Sequence, residues 1–205
     1  MRRLAILLLV SMASGEIIDR IAVTVEKRVI TESEIWRQIR IAAFLNDQEP
    51  DFSSGAKRTM ADRLVEQVLI RRELETSSRV PTSIPTPSTY QQIKARFKTD
   101  EEYKQALAKY RIADDDVREA LAWQAALLEF IDQRFRPGVQ IPQSEIREHY
   151  DQQVAQNPGK LPPFEEAKDE IEQILTAQRV DNALDRWLGQ ARTQARMRYR
   201  DEVFK

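Results

Sequence analysis

The sequence predicts a mainly α-helical protein with one small antiparallel sheet. Apolar residues recur at helical spacing through most of the 205 residues, whereas strand-like patterns occur only near the two ends. Charged residues make up 32% of the chain and hydrophobic residues 41%, which is typical of a charge-dense helical protein rather than a membrane protein or a disordered tail. The five glycines are not grouped, so no glycine-rich phosphate loop is expected.

The first fifteen residues, 1–15, are typical of a short export signal. Arg2 and Arg3 provide positive charge, 4–10 is apolar, and the small residues of 11–15 offer a cleavage site. The apolar run is much shorter than the roughly 20 residues that span a bilayer, which favours a cleaved signal over an anchor or a buried strand. We therefore expect an exported protein without stable membrane insertion.

The charge balance argues against nucleic acid as a partner. The chain has 32 lysines and arginines against 33 acidic residues, and loss of Arg2 and Arg3 with the signal would change the net charge from −1 to −3. Binding to a polyanion needs a concentrated basic face. The one basic series is interpreted as a solvated surface and comprises Arg192, Arg196, Arg198 and Arg200. With no cysteine, the chain cannot form disulfides or carry a cysteine-linked lipid.

The elements begin directly after the signal. Imperfect alternation of apolar residues over 17–25, a polar turn at 26–28 and two apolar residues after it predict a β-hairpin. Thr31 and Glu34 have the spacing of a capping box, so a helix should follow to about Leu45. Its inward residues are predicted to be Ile35, Ile39 and Ala42 or Ala43.

Three further helices follow a polar break over 46–55. The first is predicted for 56–78 and ends before the linker 80–87, whose three prolines cannot sustain a helix. A short helix over 88–98 and a capped helix beginning at Thr99 come next. The apolar side of this pair comprises Tyr90, Ile93, Phe97, Tyr103, Leu107 and Tyr110.

The helix predicted over 114–135 is apolar on more than one side. At 100° per residue its apolar residues form two stripes, centred roughly 120° apart. Either the helix packs between two neighbours, or the second stripe lines a groove that holds an apolar segment of a partner. The first stripe comprises Val117, Leu121, Leu128, Ile131 and Phe135, and the second comprises Trp123, Leu127 and Phe130.

The C-terminal third should contain a short helix, a linker, a long helix and a strand. The short helix begins near Ile141, and the proline-rich linker occupies 157–163. The helix over 164–195 would be about 45 Å long. A closing strand with Met197, Tyr199 and Val203 is expected to pair with the hairpin. The predicted divisions are therefore 1–15, a helical N-terminal region over 16–163, and a C-terminal region over 164–205.

Residues suited to catalysis or metal binding are scarce. His149 is the one histidine, and with no cysteine it cannot form a site that needs several histidines or a thiolate. The acidic run 114–116 lies at a predicted helix start, where carboxylates cap the helix and interact with its dipole, so a cation site is the weaker interpretation. We therefore predict no catalytic residues, no metal and no cofactor.

Four blocks of the sequence resemble, in order, the SurA-like, parvulin-type periplasmic foldases. They are 17–35 (IIDRIAVTVEKRVITESEI), 97–121, 141–150, and 164–175 together with Trp187-Leu188, and they cover nearly the whole mature chain. One departure stands out. Only 13 residues separate Tyr150 from Phe164, where isomerase-bearing members of the family carry a parvulin domain of roughly a hundred residues. The isomerase domain is therefore expected to be absent.

The resemblance implies an ATP-independent periplasmic holding chaperone (holdase) without isomerase activity. Its clients would be unfolded outer-membrane or exported proteins, held by a helical SurA-type body whose N- and C-terminal segments interlock. Exposed apolar and aromatic side chains would make weak, exchangeable contacts with them. The candidate contacts are Trp123, Leu127, Phe130, Phe97, Tyr103 and Tyr110, and core packing is the alternative role of each aromatic residue.

Three other interpretations of the sequence stay open. The protein could be a prolyl isomerase with a degenerate site, which predicts acceleration of proline-limited refolding. It could be an assembly adaptor with one dedicated partner, which predicts a stoichiometric complex and no suppression of client aggregation. The second apolar stripe could also mediate self-association, with the C-terminal helix exchanged in a homodimer.

Overall fold

The computed structural model describes residues 19–76, 87–156, 159 and 161–205. Over these residues the fold is mainly α, with seven α-helices and a three-stranded antiparallel sheet, which confirms the predicted fold class at this level. The predicted signal 1–15 lies outside the described residues, as do 80–86 of the first linker and residues 157, 158 and 160 of the second.

The sheet joins the two ends of the described chain. Strands β1 (Ile21–Val25) and β2 (Arg28–Thr31) form the predicted hairpin, and β3 (Met197–Tyr199) pairs with the other edge of β1, giving the order β2-β1-β3. A register shift near Ala22 lets this residue and Val23 both be buried, which explains the imperfect alternation in the sequence.

The predicted extension of the last strand to Val203 is wrong. Val203 lies in a 3₁₀ helix, Asp201–Phe204, that follows β3. Its side chain is only 3% exposed and packs into the core beneath the sheet, because the chain turns back after Arg200. The buried side chains of this core come from the sheet, from α1 and α2, and from Val203.

Helices α1 (Glu32–Leu45) and α2 (Ser54–Thr76) cover the sheet. Thr31 caps α1, since its hydroxyl accepts a hydrogen bond of 3.3 Å from the Glu34 N–H. The reciprocal half of the predicted capping box is not formed, because the Glu34 carboxylate instead accepts a hydrogen bond of 2.8 Å from Arg28. Side chains of both helices complete the core under the sheet.

A second core lies where α3 (Pro87–Lys94), α4 (Asp100–Tyr110) and the start of α5 (Asp114–Arg134) meet the end of α1. Helix α3 ends four residues before the predicted Lys98. The Lys98 N–H donates to the Glu102 carboxylate at 2.8 Å, so this residue belongs to the start of α4 rather than to α3.

Helix α7 (Phe164–Gln194) is the predicted long helix and has 31 residues, about 46 Å at 1.5 Å per residue. Its first half packs on α6 (Gln143–Gln156) around Ile146 and Ile171. Its second half packs on the ends of α2 and α5 around Leu188. None of the described helices has an apolar stretch long enough to cross a bilayer.

Candidate functional site

A groove lies between α1, α2 and α5, and its lining includes predicted site residues. It encloses a cavity of about 360 Å³. Each of the three helices presents one face to it, because the lining residues recur at spacings of three and four along each helix. The apolar lining includes Ile41, Leu45, Leu64, Ile70, Trp123 and Leu127.

Two of the three residues in the predicted second stripe line this groove. Trp123 and Leu127 are half-buried and are brought together, one helical turn apart, on the wall that α5 supplies. Phe130 lies behind the wall instead. It is only 5% exposed, and its ring contacts those of Phe135 and Trp187, with centroids 5.7 and 5.5 Å apart.

The predicted first stripe of α5 is not a continuous core face. Val117 and Leu121 are buried in the second core, but Leu128 is 64% exposed. Helix α5 buries one side near its start and another side near its end, because α4 and α1 contact the first half whereas α2 and α7 contact the second. Leu128 therefore does not belong to the packed side of α5.

Polar and charged residues surround the apolar wall of the groove. Arg71 lies over the Trp123 ring, 4.6 Å from its centroid, and covers part of its face. Glu66 on the rim accepts a hydrogen bond of 2.8 Å from Arg192, which ties α2 to α7. Arg63 and Glu119 also lie on this rim. The groove thus combines an apolar wall with exposed charged residues of both signs along its margin.

The other predicted contact residues lie in a separate aromatic cluster. Phe97, Tyr103 and Tyr110 surround Phe44 with ring centroids 6.0, 6.1 and 5.5 Å from it. Tyr103 is only 4% exposed, and the Tyr110 hydroxyl donates a hydrogen bond of 2.9 Å to the Gln48 carbonyl. Tyr103 is thus part of the core, whereas Phe97 and Tyr110 are half-buried and pack against it.

Asp114 connects three helices beside this aromatic cluster. Its carboxylate accepts hydrogen bonds of 2.6 Å from the hydroxyls of Tyr90 and Tyr103, and one of 2.7 Å from Arg118. Burial acts to raise the pKa of Asp114, but the hydrogen bonds from Tyr103, Tyr90 and Arg118 outweigh it and hold the pKa below the usual 3.8. Burial and the same hydrogen bond raise the pKa of Tyr103.

Asp116 and His149, the other residues considered for a cation or catalytic site, each have a side-chain partner in the structure. Asp116 accepts a hydrogen bond of 2.8 Å from the Ala113 N–H, as expected for a helix start, and lies 3.6 Å from Arg37. His149 is half-buried on α6, with its ring 2.9 Å from the Gln153 amide. Within the described part of the chain, no three His, Cys, Asp or Glu side chains are grouped so that they could hold a metal ion.

Sequence reasoning missed the α1 and α2 walls of the groove. Ile41 is 3% exposed and lies off the predicted inward stripe of α1. Together with Leu45, four residues later, it forms a second apolar side of that helix, and this spacing was a usable signal. Ile70 was likewise left out of the apolar stripe predicted for α2, which comprised Ala61, Leu64, Val65, Val68, Leu69 and Leu74.

No protein-family model matches the sequence, and no curated protein shows significant similarity to it.

Proposed function

We propose that this protein is an ATP-independent periplasmic holdase that binds apolar segments of unfolded outer-membrane or exported proteins in the groove between α1, α2 and α5. The observation that carries the proposal is the half-buried pair Trp123 and Leu127 in a cavity of about 360 Å³. This volume falls within the range of about 300–1,000 Å³ that is usual for ligand pockets. The resemblance to SurA-like foldases supplies the compartment and the class of client.

The size of the groove fits weak and exchangeable binding. Burying one large apolar side chain contributes about 1.5–3 kcal/mol. A client segment that inserts two or three such side chains would gain about 3–9 kcal/mol, from which the cost of association, about 4 kcal/mol or more, must be subtracted. Single segments would therefore bind weakly, and a long unfolded client would be retained through repeated contacts by several of its segments.

The charged margin of the groove supports a preference for extended apolar segments over folded surfaces. Arg63 and Glu119 provide both signs of charge around the apolar wall. A segment with apolar residues between polar ones could place the apolar side chains against Trp123 and Leu127 and leave its polar ones at the rim. Folded proteins expose apolar side chains mostly as single residues, so their surfaces offer the cavity fewer adjacent apolar side chains than an unfolded segment does.

To test the proposal, the Leu127→Gln variant is compared with the unaltered protein in its ability to suppress aggregation of an unfolded outer-membrane barrel protein. We expect substantially weaker holding, because a polar amide in the apolar wall must be desolvated when a client binds. Leu128→Gln is the matched control: it has the same chemistry one position along α5, outside the groove and 64% exposed. Equal loss of holding in both variants, or in neither, would contradict the groove as the binding site.

The proposal includes no prolyl isomerase activity and no single dedicated partner. Acceleration of a proline-limited refolding reaction by the protein would contradict the first statement. A stoichiometric complex with one protein, combined with no suppression of client aggregation, would favour an assembly adaptor. Phe130 is left unchanged in these tests, because its ring is buried among Phe135 and Trp187 and its replacement would disturb the fold.

A further inference from the structure

Strand β3 forms one edge of the sheet, and three exposed arginines lie within it or directly next to its ends. Arg196, Arg198 and Arg200 are exposed, whereas the two residues between them, Met197 and Tyr199, are half-buried and pack on the core. Because side chains alternate along a strand, the three arginines share one face and are spaced about 7 Å apart. They form a basic row about 13 Å long beside the strand edge.

The three guanidinium groups have no acidic partner among the described residues. Salt bridges join none of them to a described carboxylate. Two carboxylates lie close to the row: Glu26 is 3.7 Å from Arg72 and accepts a hydrogen bond from the Arg196 N–H, and Asp201 is 3.5 Å from Arg58. The three guanidinium groups are therefore available to pair with carboxylates of another chain.

The backbone of β3 is also free to pair on its outer side. The Arg196 carbonyl accepts from the Glu26 N–H at 2.8 Å, and the Arg200 N–H donates to the Ala22 carbonyl at 2.9 Å. In an antiparallel ladder this places the backbone groups of Met197 and Tyr199 on the opposite side, away from β1. Among the strands of the described residues, none pairs with that side.

We propose that β3 is a second binding site, independent of the groove, that takes an acidic peptide segment in extended conformation as a fourth strand. The peptide backbone would hydrogen-bond with Met197 and Tyr199. Carboxylates at every second peptide residue would lie beside Arg196, Arg198 and Arg200, since both strands have the same repeat. Charge complementarity selects an acidic partner, and the two-residue repeat selects an extended one.

The simpler role for these arginines is to prevent strand pairing, as charged residues commonly do at sheet edges. The two roles predict different results. If the arginines only prevent strand pairing, the protein should not bind acidic peptides. In that case Arg198→Thr, which removes a charge from the edge, should make the protein self-associate. A binding row would retain an acidic peptide, with an affinity that falls as salt is added, because the contacts are exposed.

The experiment measures binding of a fluorescein-labelled peptide of about nine residues, with glutamate at every second position and threonine between, by fluorescence anisotropy. We expect Arg198→Glu to weaken binding by about tenfold or more, because it places like charges together. Arg186→Glu is the matched control, an exposed arginine on α7 whose Nε bonds only within its own helix. Absence of binding to the unaltered protein, or equal weakening by both variants, would overturn the proposal.

Two N-methylated peptides distinguish strand pairing from charge attraction alone. One carries methyl groups on the glutamate nitrogens and the other on the threonine nitrogens, so each blocks hydrogen bonding along one peptide edge. Strand addition predicts that one methylated peptide binds as the parent does and the other loses binding. Equal affinity of the two would contradict strand addition, even if Arg198→Glu weakens binding.

Discussion

At the residue scale, Asp114 has the largest set of internal contacts among the acidic residues of the second core. It receives hydrogen bonds from Tyr90 of α3, Tyr103 of α4 and Arg118 of its own helix. Hydrogen bonds to a charged acceptor each contribute about 1.5–3 kcal/mol before the cost of burying the charge is subtracted. Three of them on one carboxylate fix the positions of α3 and α4 relative to α5.

Replacement of Asp114 by asparagine should lower the free energy of unfolding by about 1–3 kcal/mol at neutral pH, because the amide lacks the charge and one acceptor. The folded pKa of Asp114 lies below 3.8, so its stabilising effect is complete at pH values above its unfolded pKa and is lost as the pH falls through the folded pKa. The difference between the two proteins in urea unfolding should therefore shrink toward acid pH.

The control for this prediction is Asp115→Asn, since Asp115 is the exposed neighbour in the same first turn. It should change the free energy of unfolding only by the small helix-dipole contribution, about 0.3–1 kcal/mol. A cost for Asp114→Asn that stays constant from neutral to acid pH would show that the carboxylate charge is not the stabilising feature.

At the element scale, the sequence predicts where most helices begin and end but not which neighbour each side contacts. The ends of α1, α5 and α7 agree with the prediction to within one residue, because caps and prolines are local signals. The exposure of Leu128 depends instead on which helices lie beside each half of α5. The spacing of apolar residues shows which side of a helix is apolar. It does not show which other helices or strands contact that side.

The candidate site, too, could be predicted from local sequence signals only in part. Trp123 and Leu127 could be predicted from their spacing on α5, whereas Phe130 shares their side of the helix and yet is buried by Trp187 of α7. The walls from α1 and α2 depend on packing between segments far apart in the chain. Phe97, Tyr103 and Tyr110 were ambiguous in sequence, because an aromatic residue suits a core as well as a binding surface.

Helix α5 has a cap position that can be improved. Ala113 has the extended backbone of an N-cap but no side-chain acceptor. Its φ of −101° and ψ of 163° are each within a degree of those of the Thr31 cap. Ala113→Ser adds a hydroxyl for a free N–H of the first turn and should raise the free energy of unfolding by about 1 kcal/mol. Chemical denaturation measures the change. Ala113→Val, which adds bulk without an acceptor, should give no gain, and an equal gain from valine would exclude capping as the cause.

At the scale of the whole molecule, α7 contributes side chains to three of the four apolar clusters of the described residues. The cluster around Ile146 and Ile171 lies at one end of α7, and that around Leu188 lies near the other. Residues after α7 then complete the core under the sheet, where Val203 is buried and its carbonyl accepts a hydrogen bond of 3.0 Å from Lys57. Stability of the N-terminal hairpin therefore depends on the last ten residues.

Deletion of 196–205 should remove protection from amide hydrogen exchange throughout β1 and at the start of α1. The deletion takes away the strand that pairs with β1, the buried Val203 side chain and the acceptor for the largely buried Lys57 ammonium. The cluster around Ile146 should keep its protection, because α6 and α7 form it without these residues. Removal of Lys205 alone is the control, and unchanged protection of β1 after the longer deletion would contradict this dependence.

The pairing of β1 with β3 also determines when the protein can finish folding during its own synthesis. Arg198 pairs with Thr24 but is made 174 residues later. At roughly 5–20 residues per second, the hairpin waits about ten seconds or longer for its third strand. During that time the sheet lacks β3 and the core beneath it lacks Val203, although the core residues of α1 and α2 have already been made. The protein, which we propose binds unfolded chains, is thus itself incompletely folded until its last strand has been made.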